Sequence, residues 1–135
     1  MAKQAAQQGH RVLALSRNAE TVRSLGLDHL EALPFDITNQ QHIQEADAWI
    51  DQHWGGKIDV LINNAGIGAQ GGVEAATTEE WNKVLNINVI GTSRVSAAAL
   101  PLLRKSQDAA IVNTCSVVAT VGLPKRAIYS ASKGA

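Results

Sequence analysis

Asp59-Val60-Leu61-Ile62-Asn63-Asn64-Ala65-Gly66 is the stretch whose reading decides the fold. Three aliphatic residues in a row, Val60-Leu61-Ile62, stop at two small polar residues and a glycine. That is the pattern of a strand buried on both faces and ended by a turn. Helical patterns flank it. Upstream, Ile43, Ala46, Ile50 and Trp54 fall at steps of three and four, an apolar stripe that Thr38 with Gln41 opens as a capping box and Gly55-Gly56 closes. Downstream, Thr77 with Glu80 forms a second box. A long helix then runs from Trp81 to about Leu103, with Pro101 expected to kink or end it. A buried strand between two helices is the repeating unit of a parallel α/β sheet, because parallel neighbours need a crossover helix.

The alternation continues in both directions. Val12-Leu13-Ala14-Leu15, Leu30 to Phe35, and Ala109 to Asn113 read as further strands, the last also buried on both faces. Asn18 can cap a short helix that stops at Gly26, and a last helix begins near Ala127. Ala2 to Gln8 reads as the end of a helix and Ser130 to Ala135 as a helix cut short. No repeat, linker or low-complexity run divides residues 1–135, so a single domain is expected.

Composition excludes several classes of function. The 135 residues are 45% hydrophobic and 18% charged, with twelve Lys plus Arg against twelve Asp plus Glu. There is no basic block for nucleic acid or an anionic membrane, and neither is an expected partner. Cys115 is the only cysteine, and His10, His29, His42 and His53 lack ligand spacing, so neither a disulfide nor a metal site is expected. The N-terminus has no apolar signal core and Val95 to Leu103 is too short to span a bilayer, which points to the cytoplasm.

Tyr129 and Lys133 are four apart on the last helix and share a face. A phenol titrates near pH 10, and a neighbouring ammonium favours its ionised form, so the pair can pass a proton near neutrality. By itself the spacing reads as that of an ordinary surface Tyr and Lys. Other strings accompany it in order: Asp36 at a strand end, Asn63-Asn64-Ala65-Gly66, Asn88 within Asn86-Ile87-Asn88-Val89-Ile90-Gly91, and Ser116 thirteen residues before Tyr129. Over essentially its whole length the sequence resembles the short-chain dehydrogenase/reductase family.

That resemblance implies a Rossmann-like, doubly wound parallel sheet and a partial NAD(P)-binding domain over 1–135. It also implies a hydride transfer between nicotinamide and an alcohol or ketone, with Asn88, Ser116, Tyr129 and Lys133 as the catalytic set. Tyr129 would be the acid and base, and Ser116 would hydrogen-bond the substrate oxygen. Lys133 would assist Tyr129 and hold the nicotinamide ribose. Asn88 would anchor a water of the proton relay, or else bond a neighbouring backbone group. Asn63, Ala65 and Gly66, at the carboxyl edge of the sheet, would contact the cofactor or form a plain turn. Asp36 would receive the adenine amino group or merely end its strand.

Where NAD binders carry an acidic residue after the strand corresponding to Val12-Leu13-Ala14-Leu15, the chain has Ser16-Arg17. A guanidinium there can pair with a 2′-phosphate, so NADP is favoured over NAD, unless Arg17 is only a solvated loop residue. Cys115 reads as a small buried thiol used in packing. The mostly apolar Val117 to Pro124 would wall the substrate pocket. A homodimer or homotetramer is implied, with the Trp81 helix and the last helix pairing between subunits. A non-catalytic nucleotide-binding or regulatory relative is the alternative function.

Members of the family open with a strand and a glycine-rich loop that this sequence lacks, and they continue past the Tyr-Lys helix. The resemblance thus implies an internal fragment, its sheet incomplete with the first and later strands absent, and inactive in isolation. In strand order 3-2-1-4-5-6 the absent strand lies between the first and third strands read here. The expected result is a re-ordered sheet, or unpaired edges and exposed apolar faces about a gap.

Overall fold

The computed structural model describes residues 1–135. In chain order the elements are α1 (Ala2–Gln7), β1 (Val12–Ser16), α2 (Ala19–Arg23), β2 (Leu30–Pro34), α3 (Gln40–Trp54), β3 (Val60–Asn63), α4 (Thr78–Leu85), α5 (Thr92–Leu103), β4 (Ala110–Asn113) and α6 (Ala127–Gly134). A π-helical segment, Asn86–Gly91, joins α4 to α5.

All strand pairing is parallel. Val12 pairs with Leu30 through to Ser16 with Pro34, and Val60 with Ala110 through to Asn63 with Asn113. The two ladders are separate, so β1 and β3 each carry a partner on one edge only, and the unpaired edges expected from the sequence are present. What joins the halves is a small apolar cluster. Phe35, Ile43 and Ala46 are buried together, with Leu15, Leu33 and Ile37 packed on them from the β1–β2 side and Val95 and Ala98 from α5. Of the α3 stripe predicted from its spacing, Ile43, Ala46 and Ile50 are buried and Trp54 is half-buried, and the helix ends at Gly55 as its sequence indicates.

Five readings need correction. β3 and β4 are not buried on both faces: Val60 is 51% and Ile62 44% exposed, and β4 is exposed throughout. The pleat supplies the reason, since Leu61 and Asn63 face α5 while Val60 and Ile62 face a side that no element covers. Thr38 is not a helix cap, because its hydroxyl and N–H both donate to Asp36. Asn39 caps α3 instead, accepting from the Gln41 N–H at 2.9 Å. The second box, Thr77 with Glu80, forms reciprocally as expected. α2 stops at Arg23, short of Gly26. The long helix is not uniform, being interrupted by the π-segment, and α5 runs past Pro101 to Leu103. Cys115 is exposed, beyond the uncovered end of β4. No helix is long and apolar enough to cross a membrane.

Candidate active site

Three chain segments beyond strand ends meet around the π-segment. The Asn88 carboxamide, 9% exposed, is the hub. Its Oδ1 accepts from the Ile67 N–H at 2.8 Å, and its Nδ2 donates to the Ile67 carbonyl and to Ser132 Oγ, each at 2.9 Å. The loop after β3 and helix α6 are thereby tied to one side chain. A π-turn holds one residue more than an α-turn, and such bulges recur at functional sites. Here it places Asn88 against both neighbours. Its main-chain carbonyl accepts from Thr92 Oγ1 at 3.1 Å, and both amide protons have protein partners.

Lys133 completes the convergence. Its Nζ lies 6.0 Å from the centroid of the Tyr129 ring and donates at 3.0 Å to the carbonyl of Thr114, in the segment that leads from β4 to Ser116. A methyl group on Gly66 would stand 3.3 Å from Asn88 Oδ1 and 3.5 Å from Lys133 Nζ, so the missing side chain is what lets these two groups close on the backbone at Gly66. Ser116 begins a short 3-10 turn (Val117–Ala119), and its Oγ accepts from the Val118 N–H at 3.5 Å. That leaves its hydroxyl proton to donate. The Tyr129 hydroxyl takes part in none of these bonds.

The structure thus brings together Asn88, Tyr129, Lys133, Gly66 and, through Thr114, the chain leading to Ser116. It turns Asn63 away from them. The Asn63 amide is buried and donates to Ser96 at 3.0 Å and to Asn113 at 2.8 Å, tying β3 to α5 and β4. Ala65 is exposed on the same loop as Gly66.

Arg17 and Asp36 follow the carboxyl ends of β1 and β2. Arg17 is exposed, while Asp36 Oδ1 accepts from the Thr38 hydroxyl at 2.7 Å and its N–H at 2.9 Å. Those two bonds hold the Asp36 carboxyl below its ordinary range. Partial burial opposes them weakly, and His42 and Arg17 add smaller favourable effects. The turn beginning at Asp36 touches the π-segment, since a Cβ on Gly91 would stand 2.8 Å from Ile37 Cγ1.

The sequence reading missed Ser132, Ile67 and Thr114. Ser132 shares the Tyr129–Lys133 face at the i, i+3 spacing, which is a usable signal. Ile67 and Thr114 act through main-chain atoms, which carry no residue signature.

A family model described as short chain dehydrogenase matches residues 1–135. The chain is 37% identical over 132 residues to a 3-ketodihydrosphingosine reductase of Bacteroides thetaiotaomicron, covering 98% of this chain and 47% of that one. It is 34% identical to a 3-oxoacyl-acyl-carrier-protein reductase of Thermotoga maritima, covering 95% and 54%. Among solved structures it superposes on the aldohexose dehydrogenase of Thermoplasma acidophilum with a TM-score of 0.87 at 29% identity, covering 98% of this chain and 50% of that one. For the serine dehydrogenase of Escherichia coli the TM-score is 0.89 at 28% identity, covering 98% and 62%. The chain spans about half the length of the relatives it matches in sequence. The match across every residue, the parallel strands with crossover helices, and a Tyr-Lys helix clasped to Asn88 agree: the chain belongs to the short-chain dehydrogenase family.

Proposed function

We propose that the protein is an oxidoreductase transferring a hydride between a nicotinamide dinucleotide, NADPH in preference to NADH, and an alcohol or ketone. Residues 1–135 would form one nucleotide-binding domain, in a cytoplasmic protein assembled from two or four copies. One observation carries the reading: Asn88 Oδ1 and Lys133 Nζ flank Gly66, with Lys133 beside the Tyr129 ring and bonded to the approach to Ser116.

The residues present suit such a coenzyme. The absence of a side chain at Gly66 lets the Lys133 ammonium, held by the Thr114 carbonyl, come close to the loop backbone, and Arg17 offers an exposed guanidinium at the end of β1. Ala65, Gly66, Tyr129 and Lys133 would hold the nicotinamide half, and Arg17 and Asp36 the adenosine half. Asn63 would contribute by its main chain, its amide being engaged elsewhere. Bound there, the coenzyme supplies or accepts the hydride.

The chain's own groups manage the proton and the charge. Ser116 donates its free hydroxyl proton to the substrate oxygen, a bond that strengthens as that oxygen becomes an alkoxide. Tyr129 exchanges its proton with the same oxygen. Lys133 stabilises the charge left on Tyr129, and the Thr114 carbonyl keeps the ammonium in place. Asn88 holds the loop and helix in register. Val117, Val121 and Leu123 are exposed beyond Ser116 and would meet an apolar part of the substrate. Two relatives named as reductases of 3-keto or 3-oxo compounds support a ketone with an aliphatic chain.

The test is oxidation of NADPH by the whole protein over a panel of 3-oxoacyl thioesters and simple ketones, with coenzyme binding followed in parallel. Turnover of at least one carbonyl is expected, and Arg17→Ala should weaken NADPH binding roughly tenfold or more with little change for NADH, as for loss of a bond to a charged group. Tight NADPH binding with no turnover on any carbonyl would favour a non-catalytic nucleotide-binding relative.

A further inference from the structure

Tyr129, Ser132 and Lys133 stand at i, i+3 and i+4 on α6 and so share one face of the helix. The two outer residues have roles in the function proposed above, and this inference rests on that reading. Ser132 is the most enclosed of the three, 4% exposed, in a helix whose neighbours on either side reach the site. Its hydroxyl is filled in both senses. It accepts from Asn88 Nδ2 at 2.9 Å and donates to the Tyr129 carbonyl at 2.8 Å.

The direction of the chain of bonds is fixed. The Ile67 N–H requires an acceptor, so Asn88 must present Oδ1 to it. Nδ2 must then face Ser132, and Ser132 must pass its own proton to Tyr129. Each bond polarises the next, and the low dielectric of the buried site strengthens them. A Ser that only back-bonds its own helix would need no partner across the gap. This one has a partner in the π-segment, and that partner also grips the loop that carries Gly66.

We infer that Ser132 is a positioning residue: its hydroxyl clasps Asn88 to the Tyr129 backbone and so sets Tyr129 and Lys133 against the Gly66–Ile67 loop. Without the clasp α6 keeps its helical bonds but loses its register on Asn88. One proton of Nδ2 is then left buried without a partner, and the carboxamide becomes free to tilt. The reacting groups would be displaced while the coenzyme surface at Arg17 and Asp36 is untouched.

The experiment compares the whole protein with Ser132→Ala, Ser132→Cys and Ser132→Thr. Cys keeps nearly the size of Ser but is a weak donor and acceptor, so it removes the clasp without opening a cavity should the Ala variant fail to fold. The Ala or Cys variant is expected to lose about 10- to 100-fold in kcat, the scale of a small misplacement of reacting groups, with NADPH affinity within about twofold. Ser132→Thr, which keeps the hydroxyl, should recover most of that loss. In an Asn88→Ala background, Ser132→Ala should add less than about twofold, because both changes break the same unit.

A kcat within twofold of the wild type in the Ala and Cys variants, or an undiminished loss in the Asn88→Ala background, would overturn the inference. If the wild type reduces no carbonyl, the reading of the site fails first and the inference falls with it. If wild-type turnover vanishes in Tyr129→Phe and survives in Ser132→Ala, only the inference fails.

Discussion

Asp36 shows how far one residue's partners govern its behaviour. Its carboxyl takes the Thr38 hydroxyl and N–H on one oxygen, and this, more than any nearby charge, lowers its pKa. A carboxylate that is harder to protonate folded than unfolded adds stability that is fully present above its unfolded-state pKa. That stability is lost as pH falls through the lower folded-state value. Thr38→Val removes the stronger bond, so the Asp36 titration should move upward towards the ordinary carboxylate range, and the acid-side fall in stability should flatten. A carboxyl-carbon titration by NMR checks this. An unchanged Asp36 curve in that variant would mean that the Thr38 hydroxyl is not what lowers it. The same pair of bonds explains why Thr38 misleads as a helix cap: the acidic residue two positions upstream already holds its hydroxyl, and Asn39 takes over.

Between the helical halves α4 and α5, the π-segment packs Gly91 against the turn after β2. An added methyl would stand 2.8 Å from Ile37 and 3.1 Å from the Asn86 carbonyl. The Ile37 side chain can yield, whereas the carbonyl is backbone. Ala gains about 1 kcal/mol over Gly in a helix, but overpacking costs about 1–3 kcal/mol, so Gly91→Ala should destabilise the protein by about 1 kcal/mol in urea unfolding. A stabilised variant would show that the close approach is absent in solution. Strand placement was legible because runs such as Val60-Leu61-Ile62 are short, aliphatic and bounded by turns. The Thr77–Glu80 box was legible because both partners are side chains of fixed spacing. The π-turn was not, since Asn86-Ile87-Asn88-Val89-Ile90-Gly91 carries no residue type or spacing that sets it apart from an ordinary helical turn. In the site, Tyr129 and Lys133 were legible only from their spacing taken together with the strings that accompany it, and Asn88 from its own string, while the main-chain groups that fix Asn88 and Lys133 at Ile67 and Thr114 had no signal.

The two parallel ladders share no hydrogen bond, and Val60, Ile62, Ile111 and Val112 are exposed on β3 and β4. Unpaired edges beside exposed aliphatic residues are templates for association. A polypeptide of these 135 residues alone should therefore bind a hydrophobic dye and grow in apparent mass with concentration. A monodisperse monomer that leaves the dye dark would contradict this arrangement. Such exposure coexists with an ordered site because the Asn88 carboxamide ties the loop after β3 and helix α6 to the π-segment through hydrogen bonds that use no group of the strands themselves. Everything proposed for that site depends on one proton donor. The most direct measurement is single-turnover oxidation of NADPH by the whole protein and by Tyr129→Phe, on a carbonyl the wild type accepts, with coenzyme binding measured on the same samples. Loss of turnover by about a thousandfold or more with NADPH affinity within about twofold is predicted, as for removal of a general acid that acts in the chemical step. Undiminished turnover in Tyr129→Phe would contradict the account.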